Sequence, residues 1–245
     1  MRFLLYNIRY AAGIGKKIHL PLPYSGYLKK TDNQLIKIVE FIKSAKPDII
    51  GLVEVDSGSF RSNNSNQAEY IADTLHYNHI FQSKYSRNSA ANMVPVLNKQ
   101  GNAVLAKNKI LSNHFHYFNE GVKRLVIETE LEDLTILLVH LSLKYRHRQY
   151  QLQHLYKIIK KINKPLILAG DFNAFMGTKE HELFLAATHL KSANCFEEPS
   201  HPSRSPKRHL DYIFFSKEIK HKDFQIPQIT LSDHVPLIFD FEIKK

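Results

Sequence analysis

A formal net charge of +11 over 245 residues, with a single cysteine, Cys195, excludes a disulfide-stapled fold and favours a polyanionic partner. The apolar run after Arg2 is broken at Asn7, too early for a secretory signal, and no run approaches the roughly 18 apolar residues that a membrane span needs. We therefore predict one domain over residues 1–245, a cytoplasmic location, a monomeric state and no transmembrane segment.

The first part of the chain alternates strand-like and helix-like segments. The run RFLLYN predicts a strand that ends at Asn7, and IIGLVEV predicts another that carries Glu54 late in an apolar stretch. Between them, a capping-box pattern starting at Thr31 predicts a helix that ends before Pro47. Apolar residues at helical spacing predict a second helix over residues 67–75.

The middle of the chain predicts a series of short strands followed by a helix. The strands are expected at residues 101–106, 124–131 and 134–141. Glu132 and Asp133 predict a tight hairpin turn, and His140 closes an aliphatic run. An apolar stripe then predicts a helix near residues 146–162.

The segment LILAGDFNAF is the most informative part of the sequence. Its apolar run predicts a buried strand, and Gly170 lets the backbone turn sharply, so that Asp171 and Asn173 lie at the end of that strand. Open α/β sheets bind ligands at this edge. The alternative interpretation is an ordinary Asx turn after a strand, because Asp and Asn are favoured turn residues.

Two later segments repeat this arrangement. HLDYIFF places Asp211 in a β-like run, and LSDHVPLIFDF places Asp233 and His234 directly before the last strand. Six strand-like runs therefore carry a polar or ionisable residue beside an apolar stretch. Burying ionisable groups costs several kcal/mol unless they are paired or bind metal, which favours a shared site over six separate turn residues.

The ordered set LYNIRY, GLVEVD, GNAVL, VHLS, AGDFNAF, LDYIFF and LSDHVPL resembles the endonuclease/exonuclease/phosphatase superfamily. This superfamily includes deoxyribonuclease I-like nucleases, abasic-site endonucleases, inositol polyphosphate phosphatases and sphingomyelinases. The resemblance covers nearly the whole chain. It implies an α/β fold, a four-layer α/β/β/α sandwich with two mixed, mainly antiparallel sheets, and a divalent-metal-dependent phosphoester hydrolase.

The resemblance also implies a metal site. Asn7, Glu54 and Asp233 resemble its residues, with the carboxylate of Glu54 holding the cation. An oxygen-only donor set suits Mg²⁺, with Mn²⁺ as the alternative.

The remaining motif residues resemble the family's catalytic groups. Asp171 corresponds to the residue that orients or deprotonates the attacking water, and Asn173 to the one that steadies the phosphoryl oxygens. His234 resembles a general base or acid oriented by Asp211. His140 resembles a histidine that hydrogen-bonds the scissile phosphate or protonates the leaving oxygen.

The substrate is predicted less sharply than the chemistry. Basic clusters at residues 144–148 and 203–209 border the predicted site and favour nucleic acid, although a solvated surface run is the alternative. The absence of tryptophan and the apolar segment at residues 20–27 argue against abasic-site repair and favour a phospholipid, an inositol phosphate or another small phosphoester, with peripheral membrane contact. Tyr24, Tyr27 and Phe60 are candidates for stacking on bases or lying on lipid. A non-catalytic binding module is the remote third hypothesis.

Overall fold

The computed structural model describes residues 1–14, 30–85, 94, 96–121 and 123–244. Strands in these residues are β1 (Arg2–Asn7), β2 (Ile49–Asp56), β3 (Asn78–Ser83), β4 (Gln100–Ala106), β5 (Ser112–Tyr117), β6 (Leu125–Glu130), β7 (Thr135–His140), β8 (Leu166–Asp171), β9 (Lys191–Ser192), β10 (Asp211–Phe215), β11 (Ile219–Gln225) and β12 (Leu237–Ile243). Helices are α1 (Asp32–Ala45), α2 (Gln67–Leu75), α3 (Tyr145–Ile159) and α4 (Glu182–Thr188).

The strands form two sheets. The first has the order β11-β12-β1-β2-β4-β3 and the second the order β5-β6-β7-β8-β10-β9. The pairs β1–β2 and β7–β8 are parallel and the others are antiparallel. The predicted mixed, mainly antiparallel sheets are therefore confirmed.

Three apolar clusters hold the layers together. Leu5 of β1 and Leu138 of β7 belong to the cluster between the two sheets. Ile38 of α1 packs in the cluster that joins α1 and α2 to the first sheet, and Leu155 of α3 in the cluster that joins α3 and α4 to the second. Each of these side chains is fully buried, which stabilises the fold by about 1.5–3 kcal/mol per residue. This arrangement is the predicted four-layer α/β/β/α sandwich.

One local prediction is wrong: the side chain of Thr31 does not cap α1. The backbone of Thr31 has φ −119° and ψ −4°, outside the extended region that an N-cap residue normally adopts. Its hydroxyl instead donates to the carbonyl oxygen of Arg61 at 3.3 Å and accepts from Gln67 Nε2 at 3.3 Å. The Gln34 side chain, expected to complete the box, donates to the carbonyl oxygen of Leu231 at 2.6 Å. Tertiary partners thus replace the local ones.

Several parts of the chain were not anticipated from periodicity. Periodicity predicts none of β3, β5, β9, β11 and α4, whose apolar patterns are weak or short. The Pro- and Ser-rich segment at residues 197–209, before β10, has a composition typical of a surface loop, yet it buries Ser200 and Ser203. The apolar segment at residues 20–27, with Tyr24 and Tyr27, lies outside the described residues. Among the residues that the structure describes, no helix is long and apolar enough to cross a membrane.

Candidate active site

Three of the predicted catalytic residues lie side by side across the second sheet. His140 at the end of β7 is in register with Asp171 at the end of β8, which is in register with Asp211 at the start of β10. Gly170 permits this close approach, since a Cβ at that position would collide with the carbonyl oxygen of Val139. The Gly-Asp pair of the AGDFN motif therefore brings β8 against β7 and ends it in a carboxylate.

Asn7 connects the first sheet to this row. Its Nδ2 donates to Asp171 Oδ2 at 3.1 Å, and its Oδ1 accepts from the backbone N–H of Arg9 at 3.1 Å. Asn7 is buried. The carboxyl ends of β1 and β8 thus meet through one side-chain hydrogen bond between the two sheets.

Asp171 is the centre of the polar cluster. Its Oδ2 lies 3.3 Å from His140 Nε2 and 3.9 Å from His234 Nε2, and its Oδ1 accepts from the backbone N–H of Asn173 at 3.0 Å. Burial raises the pKa of Asp171, but the two histidines outweigh it, and the net pKa is well below the ordinary value. Asn173 has φ 51° and donates through Nδ2 to the carbonyl oxygen of Leu141 at 2.9 Å, which fixes the turn after β8.

His234 is held by a carboxylate, as the sequence predicts. Its Nδ1 lies 2.6 Å from Asp211 Oδ2, which also accepts from the Ser200 hydroxyl at 2.6 Å. Burial lowers the pKa of His234, whereas Asp211 and Asp171 raise it more strongly, to about 10. Burial raises the pKa of Asp211, against the opposing effect of His234. The remaining ring nitrogen, Nε2, faces Asp171.

Glu54 reaches the site from a β-bulge in β2. Its φ is 57°, and its backbone N–H donates to Asn102 Oδ1 at 3.2 Å. The carboxylate Oε1 lies 3.8 Å from Lys123 Nζ and 4.0 Å from His140 Nε2. Burial opposes its ionisation, but Lys123 and His140 prevail, so that the pKa of Glu54 is lowered. No residue that the structure describes donates a hydrogen bond to this carboxylate.

His140 has an environment unlike that of His234. Burial lowers the pKa of His140, and Lys123, whose Nζ contacts His140 Nε2, lowers it further. The His140 ring is therefore neutral near pH 7, while His234 is charged. The two histidines flank the same carboxylate, Asp171, in opposite protonation states.

Two groups of three ligand-type residues lie close enough to share a cation, counting only residues that the structure describes. One is Asp171, Asp211 and His234, and the other is His201, Asp233 and His234, with the ligand atoms of each group within 4.8 Å of one another. Glu54 belongs to neither, and Asp233 Oδ2 pairs with Arg9 Nε at 3.2 Å. The predicted metal residues thus surround the same polar cluster without forming one group among themselves.

The donor set suits a hard divalent cation. Its oxygens come from carboxylates and one amide, the ligands that Mg²⁺ and Mn²⁺ favour. A partly buried carboxylate whose nearest cation, Lys123 Nζ, is 3.8 Å away, as at Glu54, is costly to desolvate and would gain from a directly bound cation. The chemistry of the residues present therefore fits the metal that the sequence predicts.

Sequence reasoning missed three residues of this site. Lys123 lies just before β6. The predicted pairing of that strand with the strand of His140 could have indicated that Lys123 lies near the site. Ser200 and His201 lie in the Pro- and Ser-rich segment, where no periodic pattern marks them. The His201 ring centroid is 4.7 Å from that of His234.

The two basic clusters divide into buried and exposed members. Arg148 is buried and forms a bidentate pair with Glu180, at 2.8 Å for each hydrogen bond. The other cations are exposed: Lys144, Arg146, Arg204, Lys207 and Arg208. Phe60 is also exposed, at 48% of its surface. These exposed groups are the ones available to a partner.

The sequence profile of the Endonuclease/Exonuclease/phosphatase family matches residues 4–234. No curated protein is significantly similar in sequence to the chain. The match spans every predicted site residue, from Asn7 to His234.

Solved structures share the fold at low sequence identity. The mannosyl-6-phosphatase of Bacteroides thetaiotaomicron VPI-5482 has a TM-score of 0.74 and 14% identity, with 99% of this chain and 100% of that chain covered. The human Nocturnin catalytic domain with bound sulfate has a TM-score of 0.68 and 21% identity, with 100% and 93% covered. Humanized D. rerio TDP2 has a TM-score of 0.65 and 12% identity, with 99% and 98% covered.

Proposed function

The chain belongs to the endonuclease/exonuclease/phosphatase family, whose members are phosphoester hydrolases, and on this premise we propose that it cleaves phosphoesters with the help of a divalent metal ion. The observation that carries the proposal is the meeting of His140, Asp171 and the Asp211–His234 pair at one edge of the second sheet, with Glu54 beside them. The proposed unit is the single domain of residues 1–245.

In this proposal Glu54, Asn7 and Asp233 hold Mg²⁺, or Mn²⁺ in its place. When bound, the cation supplies Lewis-acid stabilisation of negative charge on the phosphoryl and leaving oxygens. The carboxylate of Glu54 supports this assignment, because it accepts no hydrogen bond from the described residues and its nearest cation, Lys123 Nζ, is 3.8 Å away.

Asp171 orients the attacking water and accepts its proton. Its position between His140 and His234 keeps the carboxylate ionised, as the base role requires. The neighbouring His234, which is charged near pH 7, donates a proton through Nε2 to the phosphoryl group, while Asp211 holds Nδ1 and fixes the ring. Ser200 positions Asp211 and does not touch the reacting atoms.

Three further groups stabilise the phosphate. Asn173 steadies a phosphoryl oxygen from the turn after β8. His140 hydrogen-bonds the scissile phosphate or the leaving oxygen, and Lys123, whose Nζ contacts His140 Nε2, is a second donor on the same side. Such preorganised donors are commonly the largest contribution to phosphoryl-transfer catalysis.

Nucleic acid is the first candidate substrate, because the exposed cations of the two basic clusters border the site. A phospholipid or another small phosphoester is the second. The observation that favours it is the exposure of aliphatic side chains beside the catalytic turn, with Leu143 exposed by 60% and Met176 by 71%.

The experiment is a hydrolysis screen with added Mg²⁺, Mn²⁺ or chelator over plasmid DNA, RNA, phospholipid and a chromogenic phosphodiester. Glu54→Gln should lower turnover of any accepted substrate at least about a hundredfold, the scale of losing one charge-stabilising group. Glu132→Gln, in the exposed turn at the opposite end of β7, is the matched control and should be unaffected. Undiminished turnover in chelator, or in Glu54→Gln, would contradict the proposal.

A further inference from the structure

Two loops that follow the catalytic strands expose large apolar side chains. The loop after β7 presents Leu143, which is 60% exposed, and α3 begins directly after it with Tyr145, which is 49% exposed. The turn after β8 presents Phe175 and Met176, which are 41% and 71% exposed. Exposed apolar groups clustered next to polar ones commonly mark an interaction surface.

The two loops are tied to each other. Arg148 Nη1 donates to the carbonyl oxygen of Leu143 at 2.6 Å, while its other nitrogens bind Glu180. Glu180 Oε1 accepts from the backbone N–H of Met176 at 2.8 Å. The apolar tips therefore form one surface held in a fixed shape. We call it the apolar tip surface, defined by Leu143, Tyr145, Phe175 and Met176.

The segments that carry this surface, and the loop that reaches it through Arg208, contain exposed cations and no acids. Residues 141–150, 172–179 and 201–210 contain no Asp or Glu. Their exposed cations are Lys144, Arg146, Lys179, Arg204, Lys207 and Arg208. The Arg208 guanidinium lies 5.4 Å from the Phe175 ring centroid, so that the second basic cluster reaches the apolar tips directly.

We propose that the apolar tip surface docks on an anionic phospholipid bilayer. An apolar centre with a cationic margin matches the interface of such a bilayer, where apolar side chains enter the acyl boundary and cations pair with headgroup phosphates. Tyr145 and Phe175 are rings on which a base could stack, but the two most exposed side chains of the surface, Leu143 and Met176, offer none, and they suit insertion among acyl chains better than contact with a base.

Docking would bring the catalytic edge to the membrane. Asn173 donates to the carbonyl oxygen of Leu141, two residues before Leu143, and Phe175 follows Asn173 by two residues. The polar cluster is therefore at the base of the docking surface. This inference goes beyond the proposed hydrolysis and is tested independently of it.

The test is cosedimentation of the full chain with phosphatidylcholine vesicles, with and without about a third of phosphatidylserine. The wild type should bind the anionic vesicles and bind neutral ones weakly. Leu143→Ser/Met176→Ser should lower the anionic-vesicle affinity about tenfold or more by removing apolar insertion, and Lys144→Ser/Arg146→Ser should lower it by a similar factor.

Matched controls lie away from the catalytic edge, with Leu111 and Lys217 at the opposite end of the second sheet and Lys220 in β11 of the first sheet. Leu111→Ser removes an equally exposed aliphatic side chain, and Lys217→Ser/Lys220→Ser removes two exposed cations. Both should bind vesicles like the wild type. Melting temperatures within a few degrees of the wild type establish that each variant is folded.

Single-stranded DNA binding, measured on the same variants, separates the two polyanions. Loss of vesicle binding in Leu143→Ser/Met176→Ser with unchanged DNA affinity supports docking. The proposal is overturned if the wild type does not bind the vesicles or if Leu143→Ser/Met176→Ser still binds them. It is also overturned if that variant loses only its DNA binding. Glu54→Gln should bind vesicles like the wild type, because Glu54 belongs to the polar cluster and is far from the apolar tip residues in the sequence. The vesicle result therefore stays interpretable even if the proposed hydrolysis is not found.

Discussion

Arg148→Met should strongly destabilise the fold, although it removes one cation from a cluster rich in them. The Arg148 side chain is 2% exposed and makes two hydrogen bonds of 2.8 Å to Glu180 and two more to the carbonyl oxygens of Ser142 and Leu143. Removing it leaves the equally buried Glu180 carboxylate without its counter-ion. Breaking one side of a buried pair costs about 3–5 kcal/mol.

The assay is urea unfolding together with calorimetry. For a domain of this size, about 3–5 kcal/mol corresponds to a fall in Tm of roughly 6–20 °C. Arg146→Met is the matched control two positions away, because Arg146 is exposed and donates a long hydrogen bond of 3.4 Å to Tyr150 at the surface. It should change the free energy of unfolding by less than about 0.5 kcal/mol.

A double-mutant cycle separates the ion pair from general packing. Glu180→Gln keeps an oxygen for the Met176 N–H but removes the charge, so the double variant Arg148→Met/Glu180→Gln should be less destabilised than the sum of the single changes. The expected coupling is about 2–3 kcal/mol, the upper range for residues in contact. A cost below about 1 kcal/mol for Arg148→Met, or strictly additive effects of the two substitutions, would refute a stabilising buried ion pair. Arg148 would then be one more cation of the basic cluster at residues 144–148.

Three further predictions follow from buried groups. Burial lowers the pKa of His181 to about 3, so the folded chain keeps it neutral while the unfolded chain protonates it near pH 6.5; stability is full above that value and falls toward pH 3 by up to about 1.4 kcal/mol per pH unit. His181→Phe should therefore gain stability relative to the wild type as pH falls. A difference in urea midpoint between variant and wild type that is the same at pH 7 and pH 5 would contradict this. Gly170→Ala should cost more than about 4 kcal/mol through its collision with backbone, whereas Gly177→Ala, in open space at φ 87°, should cost about 1–3 kcal/mol; equal costs by denaturation would refute the packing argument. Ser200→Ala should cost about 1.5–3 kcal/mol of unfolding free energy, because its hydroxyl donates to the buried Asp211 carboxylate, and an unchanged urea midpoint would count against that.

The sequence predicted the parts of the site that lie on strongly patterned strands. His140 and Asp171 end runs of aliphatic residues, and their strands are parallel neighbours, so adjacency in the sheet follows from the β-α-β order. Lys123 could not be predicted in the same way, because it lies outside the apolar run of β6. The predicted hairpin of β6 and β7 brings its strand beside that of His140 but does not mark its side chain. The role of Ser200 depends on a non-periodic segment whose course is set by tertiary contacts.

The bulge at Glu54 shows why local pattern alone does not define this site. In a regular β2, successive side chains would alternate between the core between the sheets and the core beneath the helices. The bulge at Glu54 breaks that alternation. Glu54 has φ 57°, its N–H donates to Asn102 Oδ1, and its side chain faces Lys123 and His140. On the second sheet, the register of β7, β8 and β10 aligns three side chains, and a slip of one residue would turn each to the other face. The site therefore depends on an irregularity in the first sheet and on strict register in the second. The hydrogen bond from Asn7 to Asp171 joins the two sheets at this site.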